Sequence, residues 1–247
     1  MNDRTPALTA EFVAGLFGYR PNGKPNCADG TNAPSIVIAH AVMESLGVGT
    51  GTAAPSDPGA SLEIGIEHWL ADRLPTIAPN RRWQVARARF VTEFVQYDHL
   101  ARLQALIDGD KTRTLRAEIG GDYLVRPDVT VGLEVPTGEL LHASVSCKWT
   151  IRSDRVQNVR HEAVILARHR RGRQPHIVGV TAEPLPTRIA SIARGTGEVD
   201  GIYHVALPAL SGAVAALGSQ EQRDVLAELV GQARLFDLSD LPGTIAE

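Results

Sequence analysis

From Val129 to Trp149 the chain alternates apolar and polar residues with a period of two. Val129, Val131, Leu133 and Val135 alternate with Thr130, Gly132 and Glu134; after Pro136-Thr137-Gly138-Glu139 the alternation resumes in Leu141, Ala143, Val145, Cys147 and Trp149. A helix would scatter these residues around its axis, whereas a strand sends them all to one face. Two such runs joined by a Pro- and Gly-bearing turn make a β-hairpin. Superposing the two apolar rows pairs 129 with 147, 131 with 145 and 133 with 143, closes on the three-residue loop Thr137 to Glu139, and sets Asp128 directly opposite Lys148.

The segment after the hairpin defines the fold class. Ser153 can start a helix running to about His169, with Gly172 placed to stop it, and His176 to Ala182 reads as a further strand. Strand, helix, strand implies a right-handed crossover in a largely buried sheet, hence an α/β protein. The tail adds a strand near Tyr203 to Ala206 and helices over Pro208 to Leu217 and Ser219 to Leu235. Upstream, Tyr19 to Pro34 and Gly47 to Gly59 read as loops around the apolar segment Ser35 to Leu46. Ser61 can cap a helix to about Leu74, and the spacing of Val85, Phe90, Phe94, Leu100, Leu103 and Leu106 predicts a helix over Arg81 to Ile107.

With 247 residues, 43% hydrophobic and 21% charged, the chain has the composition of a folded globular protein, and a single domain over 1–247 is the simplest division. The two cysteines, Cys27 and Cys147, form no zinc motif and no disulfide framework. The most apolar run, Ile36 to Met43, is far short of the ~20 residues of a membrane span. A cytoplasmic protein without membrane contact is expected. Gly47 to Thr52 lacks the last glycine of a dinucleotide fingerprint, and no Gly-Lys-Ser/Thr comes after it.

Charge is distributed unevenly. The net value is −3, yet Lys148, Arg152, Arg155, Arg160, Arg168, Arg170, Arg171 and Arg173 stand against only Asp154 and Glu162, so this stretch is +6 and the remainder −9. That concentrates positive potential on one surface, as a polyanion cleft requires, although a solvated helix face has the same composition. An Asp and a Lys meeting beside such a surface suit metal-assisted phosphodiester hydrolysis: the carboxylate holds Mg²⁺ and the ammonium steadies the attacking water or the developing charge. A hard cation needs more oxygen ligands, for which Glu162 and Glu63 are candidates. Taken alone, the Asp–Lys pair reads first as an ordinary cross-strand salt bridge.

The spacing has a counterpart. Nineteen residues separate Asp128, preceded by Pro127, from Lys148, and thirteen separate Lys148 from Glu162. This resembles the rearranged PD-(D/E)xK site of the CCGG-cutting type II restriction endonucleases, in which the acid normally two residues before the Lys has moved to the next helix; here Ser146 stands in the vacated place. Within that family the likeness is to the NgoMIV-like enzymes of GCCGGC. It runs through Leu140-Leu141-His142-Ala143-Ser144, Ser146 to Arg155, Gln157-Asn158, Thr181-Ala182-Glu183-Pro184, Arg188 to Ala193 and Gly195-Thr196-Gly197-Glu198, and returns at Ala28-Asp29-Gly30.

The resemblance implies a PD-(D/E)xK restriction-endonuclease-like fold, a central mixed β-sheet flanked by helices. It implies a catalytic, metal-binding site of Asp128, Lys148, Glu162 and Glu63, with Ser146 beside them and the backbone carbonyl of Cys147 as a further ligand of Mg²⁺. Arg152, Asp154 and Arg155 would read the central CCGG, Arg pairing with guanine O6 and N7 and Asp accepting from cytosine N4. Asp29 and Arg188 occupy the positions that read the outer base pair, which favours double-stranded DNA containing GCCGGC, cut after the first G to leave a CCGG overhang. A host methyltransferase that protects the same sequence is then expected.

Two departures from the family pattern stand out. The loop that would carry a minor-groove glutamine holds Ser56. The stretch between Asp128 and Lys148 lacks the excursion that supplies contacts between dimers, so a homodimer matching the twofold site is expected, with the tetramer as alternative. The competing reading is a DNA-binding protein or inactivated nuclease relative without catalysis; its mark would be a missing Asp128, Lys148 or Glu162, and all three are present.

Overall fold

The computed structural model describes residues 10–121, 123–151, 153–195 and 197–247, with the side chains of 10 and 153–155 outside the description. Among the described residues, six strands form one sheet in chain order: β1 (Trp83–Arg87), β2 (Val129–Val135), β3 (Gly138–Lys148), β4 (His176–Thr181), β5 (Gly201–His204) and β6 (Leu235–Asp237). β1, β2 and β3 are antiparallel; β3 to β6 are parallel. β3 belongs to both halves, and its Lys148 end lies with Thr181 and His204 at the carboxyl ends of the parallel strands. The sheet is mixed and flanked by helices, as expected.

The described helices are α1 (Ala10–Leu16), α2 (Ala33–Ser45), α3 (Pro58–Ile77), α4 (Asp98–Gly109), α5 (Thr114–Ile119), α6 (Ser153–His169), α7 (Pro186–Ala193), α8 (Leu207–Leu217), α9 (Gln220–Gly231) and α10 (Leu241–Ala246). On one face of the sheet, Val129, Val131, Ala143, Val145, Val178 and Val180 pack in a core shared with Ile38 and Val42 of α2, Leu62 and Ile66 of α3, and Leu210 of α8. On the other face, Leu141 and Ile177 pack with Phe94, Tyr97, Leu100 of α4 and Leu166 of α6. No helix among the described residues is long and apolar enough to cross a membrane.

Local chemistry explains the helix starts. Asn32 caps α2 by accepting the Ser35 amide at 2.9 Å, and Asp57 caps α3 by accepting the Ala60 amide at 2.9 Å, each followed by a proline in the first turn. α3 therefore begins before Ser61, whose hydroxyl donates to the Asp57 carbonyl instead. α6 spans the expected residues. The expected helix over Ser219 to Leu235 stops at Gly231, and Leu235 opens β6.

The continuous helix expected over Arg81 to Ile107 does not form. Trp83 and Val85 belong to β1, which pairs with Leu133 and Val131 of β2. Two 3₁₀ turns, Val91–Glu93 and Val95–Tyr97, precede α4. Trp83 and Val85, two apart, share one face of a strand but would fall on opposite sides of a helix, and both pair along the edge of β2.

The hairpin register also differs from the expected one. Val129 pairs with Val145 and Val131 with Ala143, while Gly132 pairs with Leu141 and Val135 with Gly138. The turn is thus Pro136-Thr137, and His142 is the unpaired extra residue of a β-bulge. Gly138, at φ +135°, suits a turn that close, since a Cβ there would come within 2.9 Å of Val95 Cγ1. The bulge carries Leu141 to the opposite face from Ala143. It buries His142 completely, its Nε2 lying 2.7 Å from the Ile245 carbonyl oxygen.

Candidate active site

The even offset in register leaves every side chain between 143 and 148 on its expected face. Continued by one residue, it sets Asp128 level with Ser146, and Lys148, two residues further along that face, reaches back to it. Lys148 Nζ donates to Asp128 Oδ2 at 2.5 Å, and the same oxygen accepts the Cys147 amide at 2.7 Å. Both side chains are about four-fifths covered, at 20% and 22% exposure. A backbone donor fixes the carboxylate and the ammonium neutralises it, an arrangement stronger than a solvated surface pair.

Two helices bring further carboxylates to this end of the sheet, one over each face. Glu162 of α6 receives a hydrogen bond from the Ser146 side chain; burial pushes its carboxyl up to about 7, the Lys148 charge pulling down and that of Asp128 pushing up. Glu63 of α3 is also raised, first by burial and then by Asp128, against the opposing pull of Lys148 and Arg87. The Cys147 thiol is pushed well up by burial and by Asp128 and Glu63. Asp128, Lys148, Glu162, Glu63, Ser146 and Cys147 are therefore brought into one neighbourhood, where negative charge exceeds positive.

Such a neighbourhood fits a divalent cation by its chemistry. Its oxygen donors are hard, and two of its carboxyls are already raised by crowding and burial that a cation would relieve. Among the described residues no three His, Cys, Asp or Glu side chains form a ready-made metal cage. Mg²⁺ ordinarily takes one or two carboxylates and completes its shell with water and phosphate oxygens.

Beside this site opens a cleft of about 570 Å³ whose lining includes Asp29, Ile151, Gln157, Thr187 and Arg188. Arg188 Nη2 donates to Asp29 Oδ2 at 2.5 Å across 159 positions of sequence. The other Asp29 oxygen accepts the Thr31 amide at 3.0 Å and hydroxyl at 2.8 Å, so Asp29 is at once the turn residue that Asp-Gly suggests and an ion-pair partner. Arg188 first, and Thr31 next, hold the Asp29 carboxyl far below the usual carboxylate range. Arg188 retains further N–H donors, and both side chains stay more than a quarter exposed.

The remaining expectations fare differently. Arg152 and the side chains of Asp154 and Arg155 lie outside the described residues. Ser56 is exposed and lines a neighbouring cleft with Arg20 and Trp149. The basic stretch is not one uniform face: Lys148 is paired with Asp128, Arg160 with Glu198 at 2.6 Å, and Arg170 donates to the Ala167 carbonyl, while Arg168, Arg171 and Arg173 are exposed at the far end of α6, about 25 Å along the helix. Sequence reasoning gave no role to Arg87, which pairs with Glu67 at 2.6 Å next to Glu63, or to Glu183, buried beside Ile151. Neither has a local spacing signal; both depend on contacts between distant segments.

Comparison with known proteins sets this geometry in a family. The family pattern described as NgoMIV restriction enzyme matches residues 133–246. The chain is also 37% identical, over 268 aligned positions covering 94% of it and 93% of the relative, to the type II restriction enzyme NgoMIV of Neisseria gonorrhoeae. The chain belongs to the NgoMIV restriction-enzyme family. Membership makes it a type II restriction endonuclease, a DNA-binding hydrolase, and the mixed sheet is of the kind this NgoMIV family builds. The likeness reaches well beyond 140–203 and 28–30, where the sequence motifs had concentrated it.

Proposed function

We propose that the chain, acting as a single endonuclease domain and paired as a homodimer, cuts double-stranded DNA at GCCGGC after the first G of each strand, leaving a 5′ CCGG overhang. The observation that carries this reading is the placement of Asp128, Lys148, Glu162 and Glu63 at one end of the sheet, beside a cleft in which Asp29 and Arg188 face each other.

In this reading Asp128, Glu162 and Glu63, with the Cys147 carbonyl, hold Mg²⁺. The bound cation would supply Lewis-acid polarisation of the phosphate and a more acidic water. Lys148 Nζ, fixed by Asp128, donates to the oxygen that attacks phosphorus or to the charge developing on the phosphate. Ser146 keeps the Glu162 carboxyl in place. Arg152, Asp154 and Arg155 read the inner CCGG from the start of α6, and the Asp29–Arg188 pair reads the outer G·C, Asp29 accepting from cytosine and Arg188 donating to guanine. A palindromic site calls for two copies related by a twofold axis. The enzyme would work in the cytoplasm beside a methyltransferase that marks the same sequence.

A digest of two plasmids, one with and one without GCCGGC, tests the reading in Mg²⁺ and then in Ca²⁺. Fragments from the first plasmid only, in Mg²⁺ only, with ends that sequence as CCGG overhangs, are expected. Cutting of both plasmids, or of neither, would overturn the proposed site.

A further inference from the structure

Glu183 lies two residues beyond the end of β4 and is fully buried. Its two carboxylate oxygens serve two different segments. Oε2 accepts the amide of Ile151 at 2.9 Å, and Oε1 accepts the amide of Leu185 at 3.2 Å. Ile151 is the last described residue before α6. Leu185 is the residue at the start of α7, and its carbonyl accepts the Arg188 and Ile189 amides of the first helical turn at 2.9 and 3.1 Å. Leu185 caps α7 without a side-chain hydrogen bond of its own; Glu183 Oε1 takes the Leu185 amide and Gln222 Oε1 takes the Thr187 amide at 3.2 Å, so two side chains from outside the helix satisfy its first amides. The neighbouring backbone repeats the tie, with the Ala182 amide donating to the Trp149 carbonyl at 3.1 Å.

The cleft holding Asp29 and Arg188 is bordered by both tied segments: Thr150 and Ile151 on one side, Thr187 and Arg188 on the other. Burying a carboxylate is costly, and here burial pushes the Glu183 carboxyl up to about 7 despite the two amides and the Arg188 charge. An apolar side chain of similar size would avoid that cost only by orphaning two buried amides. A glutamine keeps one acceptor oxygen and turns a donor toward the second amide.

We infer that Glu183 is a positioning residue for sequence discrimination, fixing the segment that leads into α6 against the start of α7 so that inner and outer base pairs are read in one register. The inference rests on the proposed reading, in which α6 reads the inner base pairs and Arg188 the outer one. Discrimination at the two positions is then coupled through one buried carboxylate that does not itself reach the DNA.

The test is cleavage, in Mg²⁺, of a duplex library randomised at six consecutive base pairs, comparing wild type with Glu183→Gln and Glu183→Asp. Glu183→Gln is expected to lose at least tenfold in discrimination at both inner and outer positions, while its cutting rate at saturating concentrations of the best sequence falls less than threefold. Glu183→Asp, which keeps two acceptor oxygens, should recover part of both, and it stands as the measured variant if the Gln protein does not fold. A folded variant with wild-type discrimination overturns the inference, as does a loss confined to one position, since a residue that only fills the core lowers thermal stability without moving either ratio. Wild-type selection of a sequence other than GCCGGC overturns the proposed site but leaves the coupling measurable on the sequence selected. No selection at all by wild type overturns both.

Discussion

Lys148 Nζ lies 2.5 Å from Asp128 Oδ2, although the two residues are not partners across the hairpin that carries them. The lysine reaches diagonally along the strand and leaves the Asp128 position level with Ser146, the residue that also touches Glu162. One strand end thus joins the acid from the sheet to the acid from α6.

Lys148→Ala removes the ammonium without touching the cleft around Arg188. Cleavage of a GCCGGC plasmid in Mg²⁺ should fall at least about 100-fold, the usual loss on removing a donor to developing charge. Binding of the same duplex in Ca²⁺, read by gel shift, should stay within about tenfold of wild type. Wild-type cutting by this variant would remove Lys148 from the mechanism.

Arg188→Ala leaves Asp29 without its strongest partner and, in the proposed reading, the outer guanine without a donor. The ratio of cleavage rates on GCCGGC and on duplexes altered only at the outer pair should shrink by ~1–3 kcal/mol, roughly 5- to 150-fold. Discrimination within CCGG should shrink far less, because α7 and its tie to Glu183 remain. An unchanged outer ratio would assign that base pair to other residues.

The even and odd steps of the hairpin explain why so much of this site was legible in sequence. Alternation alone placed Asp128, Ser146 and Lys148 on one face, and a register off by two does not disturb that. The bulge at His142 was not legible, because it arises from what packs around one residue, and a period-two pattern carries no such mark. β1 was hidden for a related reason: Val85 was counted into the apolar series that continues through Phe90 and Phe94, and its two-residue spacing from Trp83 is too short a run to mark a strand without the β2 edge that pairs with it. Glu63 was named because a hard cation needs more oxygen ligands than Asp128, and Arg188 and Asp29 came from resemblance, since contacts between α3, α7 and a remote loop leave no periodic trace.

Gln96 acts as a strand for a single residue. Its side-chain Nε2 donates to the Leu141 carbonyl at 2.7 Å and its Oε1 accepts the Leu141 amide at 2.8 Å, on the stretch of β3 that precedes the pairing with β4. Gln96→Leu leaves both backbone groups buried and unpaired, at ~1–3 kcal/mol for each group. Urea unfolding at neutral pH should show a loss of about 2–5 kcal/mol with an unchanged slope. A loss below 0.5 kcal/mol would mean that the bulge has another support.

Burial holds the His142 imidazole down to about 4, from an ordinary 6.5. Between those values the unfolded chain carries a proton that the folded chain refuses, so stability from this group is complete above pH 6.5 and is lost as pH falls toward 4, about 3 kcal/mol in all. Glu162 and Glu183, raised to about 7 from 4.5, act in the opposite sense, because the folded chain holds their protons as pH climbs through that window. Comparison with His142→Gln isolates the imidazole: the variant should lose about one proton of pH dependence between pH 4 and 6.5 in urea titrations. Parallel curves for the two proteins would show that His142 titrates normally when folded.

Strand order in the sheet equals strand order in the chain. During synthesis each emerging strand therefore meets its hydrogen-bonding neighbour already exposed at a growing edge, and no strand has to be threaded between two that have paired. The proposed nuclease centre, built around the third strand and completed by the helix after it, can assemble while the segments that bear β5 and β6 are still inside the ribosome.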